Sequence, residues 1–179
     1  MASAFSHAAD ALATGMLSTS RSMPPRFWWL SIFCSILPDA DVLSFVSGID
    51  YGSLFGHRGF THSLSFAVIL SVIVVQLWFK DVRAWSRMWK LLIVHFFFVT
   101  ASHGMLDAMT DGGLGVAFFA PFDNSRYFFP WRPVLVSPIG FAPFFSRYGF
   151  DVLLSEFVWI WLPVGVLVGS MRFWKAFTR

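Results

Sequence analysis

Charge is what this chain most lacks. Asp, Glu, Lys and Arg make up 13% of its 179 residues, against about a quarter in soluble globular domains. That deficit excludes an ordinary soluble fold. Cysteine is almost missing as well. Cys34 stands alone inside an apolar run, so no intramolecular disulfide is available. The first residues, Met1 to His7, have no basic stretch of the kind that opens a cleavable signal peptide, and the whole chain is read as mature. There is no internal repeat and no low-complexity tract. The net charge is +3, but the basic residues sit in short stretches between apolar runs and form no interleaved patch. A nucleic-acid partner is therefore excluded. What is present is apolar bulk: 56% hydrophobic residues, with 23 Phe and 9 Trp. The expectation is an all-α integral membrane protein with one domain over residues 1–179.

Four apolar stretches are long enough to span, at 27–45, 59–79, 88–109 and 152–171. About 20 helical residues, at about 1.5 Å each, cover a hydrocarbon core of about 30 Å. A weaker stretch at 4–17 mixes Ala, Ser, Thr and Gly with Asp10; it reads as a short helix buried against the others or as a re-entrant piece. Residues 111–150 hold Gly112-Gly113 and prolines at 121, 130, 133, 138 and 143, a density that rules out one regular helix. Their aromatics suit the headgroup level. The predicted architecture is a compact bundle of four to five transmembrane helices with a Pro/Phe-rich interfacial loop.

Basic residues set the orientation. Arg21 and Arg26 precede the first strong span; Lys80, Arg83, Arg87 and Lys90 lie between the second and third; Arg172, Lys175 and Arg179 follow the last. An up-and-down path puts all three groups on one side, the cytoplasmic one. Asp50, Asp111, Asp123 and Asp151 fall opposite, with Arg58, Arg126, Arg132 and Arg147.

Polar clusters interrupt this apolar background at the outer ends of the spans. Leu37-Pro38-Asp39-Ala40-Asp41 ends the first span, His57-Arg58-Gly59-Phe60-Thr61-His62-Ser63 opens the second, and Ser102 to Thr110, with His103 and Asp107, ends the third. Ionisable groups at membrane depth are costly and mark function, and His and Asp are ligands for Zn²⁺ and similar ions. His103 and Asp107, four apart, share a helix face; the alternative is a plain His–Asp hydrogen bond. His57 and His62, five apart, would diverge by about 140° on a continuous helix. Gly56 and Gly59 loosen the chain there, which puts His57 in a loop and His62 in a first turn capped by Thr61 or Ser63. The alternative is a capped helix with one exposed histidine. Asp39 and Asp41 would oppose each other on a regular helix, but Pro38 breaks it. Two carboxylates there require a cation or protonation, unless they form a polar helix end at the headgroups. His7 starts on the same outer side if the weak segment crosses. His95 lies about 12 Å deeper than His103 and reads as a hydrogen-bonded core histidine. Asp10, one turn from His7, reads as a ligand or a simple partner.

The candidate ligands are thus His7, Asp39, Asp41, His57, His62, His103 and Asp107. Three or four satisfy one catalytic zinc ion; seven suggest two. These motifs resemble the YdjM-like family of membrane-bound metal-dependent hydrolases. The likeness rests on His7, on Leu-Pro-Asp-Ala-Asp at 37–41, on His-Arg-Gly-Phe-Thr-His-Ser at 57–63, and on His-Gly-Met-Leu-Asp-Ala-Met-Thr at 103–110 with Gly113 and Pro121-Phe122. It implies that those seven residues are the metal positions. Asp111 departs from the family pattern and is a further ligand or base candidate. A more distant similarity, in ligand type and order only, is to zinc-dependent phospholipase C.

The expected function is hydrolysis of a membrane lipid, at a phosphoester, on the outer leaflet of a bacterial or archaeal cytoplasmic membrane. A divalent metal, Zn²⁺ as one or two ions, would activate the water. Asp39, Asp41 or Asp111 would take its proton, and Arg58 would clamp phosphate through its planar fork. The alternatives are hydrolysis of a lipid acyl ester or amide, and a non-enzymatic metal-binding or transport protein.

Overall fold

The computed structural model describes residues 1–18 and 22–178; Arg21 and Arg179, used above for orientation, lie outside them. The described chain is helical, with no strand and only two isolated bridges. It contains α1 (Ala4–Ser18), α2 (Pro25–Ile36), α3 (Leu43–Val46), α4 (Leu64–Trp78), α5 (Arg87–Ala108), α6 (Phe141–Phe144), α7 (Arg147–Glu156) and α8 (Leu162–Phe177). Three helical stretches are long and apolar enough to cross a membrane: Pro25–Val46, Arg87–Ala108 and Arg147–Phe177. A fourth apolar helix, α4, has 15 residues.

Helix α5 is the central post, packed by α1, α2 and α4. Its buried residues Leu92, His95, Phe96, Val99, Thr100, His103, Gly104 and Asp107 recur every three or four positions, one stripe along its length. The stripe is apolar for most of its course, where Leu92, Phe96 and Val99 meet Phe27, Cys34, Leu70, Val74 and Val75. It turns polar at its C-terminal end. Helix α1 brings His7 to the interior with Ser6, Ala11, Ala13 and Gly15, the latter four small residues that let backbones approach closely.

Several irregularities aim side chains. After α2 the backbone tightens into a 3₁₀ turn over Leu37–Val42, with Pro38 near its start. Three residues per turn replace 3.6, so Asp39 and Asp41 are not on the opposed faces that a regular α-helix suggests. The second predicted span begins late. Residues Phe60–His62 form a 3₁₀ turn, and Ser63 caps α4 by accepting from the Phe66 amide at 3.1 Å. Residues 59–63 are therefore a lead-in rather than the first helical turn. Between α7 and α8 the helix widens into a π turn over Phe157–Trp161. Pro163, which lacks an N–H and crowds the carbonyl four residues back, accounts for the break.

The loop 111–140 folds over the polar end of the bundle. Leu64 N donates to Phe118 O, Ala117 N to Arg58 O, and Phe129 N to Ala108 O. Its own Val116, Ala117, Ala120 and Val134 are buried. At the opposite end, Arg26 pairs with Asp81 at 2.7 Å, beside Lys80, Arg83 and Arg87.

Candidate metal centre

The polar end of α5 contributes His103 and Asp107 from one face, as their spacing predicts. The His103 ring is held by a 2.6 Å contact between Nδ1 and the Ser35 carbonyl. A carbonyl only accepts, so Nδ1 carries the proton and Nε2 presents a lone pair. The His62 ring has the same logic. Its Nδ1 lies 3.1 Å from Asp41 Oδ2, which leaves Nε2 unprotonated when the imidazole is neutral. The two Nε2 atoms face each other at 3.0 Å. Asp39 Oδ1 sits 3.3 Å from His103 Nε2 and 3.6 Å from His62 Nε2, and Asp107 Oδ2 is 3.5 Å from His62 Nε2. One donor atom from each of Asp39, His62, His103 and Asp107 falls within 4.8 Å of all the others.

Unsatisfied groups decide what this arrangement fits. Both oxygens of Asp39, Asp107 Oδ2 and both ring nitrogens of His7 are buried without a hydrogen-bond partner. Orphaned buried polar groups are rare and costly. A divalent cation among them satisfies lone pairs that otherwise repel. Two imidazoles and two carboxylates are a donor set suited to Zn²⁺ or a related ion. His7 flanks the group: its Nε2 is 3.4 Å from Asp107 Oδ1 and 3.9 Å from Asp39 Oδ2, and its ring stacks on His103 at 3.7 Å.

Asp41 and His57 form a different arrangement. His57 Nδ1 meets Asp41 Oδ1 at 2.6 Å, while Asp41 Oδ2 also accepts from Thr61 Oγ1 at 2.6 Å and from the Arg58 amide at 3.1 Å. With His62 they make a second group of metal-capable atoms, but one whose acceptors are already hydrogen-bonded. The geometry suits Asp41 to orienting His62 from outside.

Two sequence assignments meet a different structure. Arg58 is fully buried. Its Nε is 3.1 Å from Asp107 Oδ2 in an ion pair without hydrogen-bond alignment. One terminal nitrogen donates to Gly112 O at 2.8 Å and the other to Thr110 Oγ1 at 3.0 Å. The fork is spent inside the protein, so it holds Asp107 and the loop rather than a phosphate. Asp111 is exposed; its Oδ1 accepts from the Val136 amide at 2.8 Å. It pins the loop, and it is not part of either group of metal-capable atoms.

His95 is buried between Ser18 Oγ at 3.1 Å and Ser31 Oγ at 2.8 Å, stacked on Phe27. Several supporting groups escaped the sequence reading. Ala2 N donates to Asp107 Oδ1 at 2.7 Å. Arg126 reaches the carbonyls of Tyr51 and His57 at 2.8 and 2.9 Å, clasping the loop that carries His57; partial burial holds its guanidinium below the ordinary value. Glu156 is fully buried. Its signal was its rarity, as the only glutamate in the chain. The carbonyl and amide contacts had no signal at all, since any residue supplies them.

A sequence profile described as YdjM inner membrane protein matches residues 1–177. The chain belongs to that family. It is also 40% identical over 178 residues to the Inner membrane protein YbcI of Escherichia coli strain K12, covering 98% of this chain and 99% of that protein. No solved structure matches the chain. Family membership and the apolar helices together make this an integral membrane protein, and the family description and the relative's name both refer to the inner membrane.

Proposed function

We propose that the protein is a metal-dependent hydrolase of four or five membrane crossings, acting on a membrane lipid at the outer leaflet, with a phosphoester as the target bond. The observation that carries the reading is the pair of Nε2 lone pairs on His62 and His103, 3.0 Å apart and ringed by Asp39 and Asp107. A bound divalent ion supplies Lewis acidity, which acidifies water and polarises a phosphoryl or carbonyl oxygen. His7, Asp39, His62, His103 and Asp107 would hold it. Asp41 and Arg58 orient His62 and Asp107. Asp39 is the least sealed of the set, with its side chain 8% exposed where those of His7, His62, His103 and Asp107 are 0%. Substrate approach is therefore on its flank, and Asp39 is the carboxylate placed to accept a proton there. The orphaned donors number enough for one ion, with the Asp41–His57 pair as its support.

Outward orientation is supported by the position of the cluster opposite the basic end, where Arg26, Lys80, Arg83 and Arg87 lie. The engagement of Arg58 favours one second reading, hydrolysis of a lipid acyl ester or amide, because its guanidinium fork is not free to select for phosphate. Elemental analysis of detergent-purified protein, paired with phospholipids labelled separately in headgroup and acyl chain, tests both. Expected are one equivalent of divalent metal and headgroup release, both lost in His62→Ala. Acyl release would transfer the assignment to the second reading. Bound metal without turnover would leave a metal-binding protein. Turnover that persists in a metal-free His62→Ala variant would refute the hydrolase as described.

A further inference from the structure

Glu156 is the one buried carboxylate that the site above does not use. It ends α7 with a fully buried side chain, on a segment apolar enough to span a membrane. Among the described residues it makes no ion pair. A carboxylate kept in such a place without an ion pair is costly, and its presence points to a task. All its hydrogen bonds run to one short segment. Oε1 accepts from the Ser3 amide, and Oε2 accepts from the hydroxyls of Ser3 and Ser6, the latter at 2.8 Å. Ser6 Oγ in turn accepts from Trp161 Nε1 at 2.8 Å.

The π turn explains how two residues five apart reach one target. In an α-helix Glu156 and Trp161 would point about 140° from each other. A π turn bonds residues five apart and brings them toward one side; here that side faces the first turn of α1. The segment so gripped ends one residue before His7. Among the described residues the His7 ring has no hydrogen-bond partner of its own, unlike His62 and His103, whose Nδ1 atoms are each tied to a neighbour. Its aim toward Asp39 and Asp107 depends on where the start of α1 is held.

We infer that Glu156 is a positioning residue for the metal centre: it fixes the Ser3–Ser6 turn so that His7 faces the donor set and serves as a ligand. The inference rests on the metal reading above and extends the site to the last membrane helix. Cobalt is the probe, because its visible absorption reports the number and type of ligands. Wild type, His7→Ala, Glu156→Gln and the double variant are titrated with Co²⁺ in detergent. Glu156→Gln is expected to weaken Co²⁺ binding about 10- to 100-fold, with a spectrum matching that of His7→Ala. The double variant is expected to bind no more weakly than His7→Ala alone. Wild-type binding by Glu156→Gln, or losses that multiply in the double variant, would overturn the inference and leave the metal reading standing. Absence of Co²⁺ binding by the wild type would bring down both. Should Glu156→Gln fail to fold, Ser6→Ala removes one of the same bonds and faces the same comparison with His7→Ala.

Discussion

His62 is the residue on which the two halves of the polar cluster meet. Its Nε2 faces His103, Asp39 and Asp107, and its Nδ1 faces Asp41. Replacing it with alanine, or replacing Asp107, should abolish stoichiometric metal, as read by elemental analysis. Asp41→Asn should keep the metal but weaken it about 10- to 100-fold, because it supports His62 from behind. His95→Ala should leave the metal intact and lower thermal stability by about 1–3 kcal/mol through its lost serine bonds; loss of metal in that variant would put the site in the wrong place. At this scale the sequence was legible where a regular helix carried the information. His103 and Asp107 share a face because four residues make about one turn. It was not legible where irregular backbone carried it. Asp39 faces the donor cluster while Asp41 backs His62 because of a 3₁₀ winding, and Arg58 turns inward with its own φ at 60°, outside the range that side-chain-bearing residues favour.

Helix boundaries decide how those side chains are presented. Ser63 is the cap of α4 and directly follows His62, so Ser63→Ala should cost about 1 kcal/mol and lower the melting temperature, without removing a ligand. Gly104 has the opposite character. A Cβ built on it would lie 2.9 Å from the His62 carbonyl, a backbone atom that must move to make room. Gly104→Ala should gain roughly 1 kcal/mol of helix propensity yet displace the His62 turn and weaken metal binding about tenfold or more. Unchanged affinity would show that the turn has slack. The apolar periodicity of α4 and α5 made both helices readable in advance. The late start of α4 was not, because residues 59–63 directly join the apolar run and carry no proline to stop a helix, while the contacts that unwind them come from residues 54, 56 and 118.

For the molecule as a whole, the ends of the bundle differ in kind: one basic, the other acidic and aromatic. Single cysteines in a Cys34→Ser background read this directly. Phe122→Cys, at a position 90% exposed in the loop over the site, should react with an impermeant maleimide from outside the cell. Arg83→Cys should react only after permeabilisation. The reverse pattern would turn the centre toward the cytosol and remove outer-leaflet lipid as substrate. Composition alone foretold a membrane-embedded helical chain, since nothing else accommodates so little charge with so much Phe and Trp. The closure of residues 111–140 over the site was beyond it, because that closure is made by bonds to backbone carbonyls and amides.

Helix α4 has 15 residues, or about 22 Å of rise, against a hydrocarbon slab of about 30 Å. Its flank is lined by exposed Val68, Ile69, Val72 and Ile73, an apolar surface of the kind that suits acyl chains. A bilayer meeting so short a wall thins locally instead of leaving those residues wet. On the function proposed above, with α4 as a crossing and His62 just above its top, such thinning would lower glycerol and phosphate toward the cluster without extracting a lipid. We predict faster turnover in nanodiscs of short-chain lipid than in thick ones, at equal metal content; rates indifferent to thickness would sever this link between helix length and catalysis.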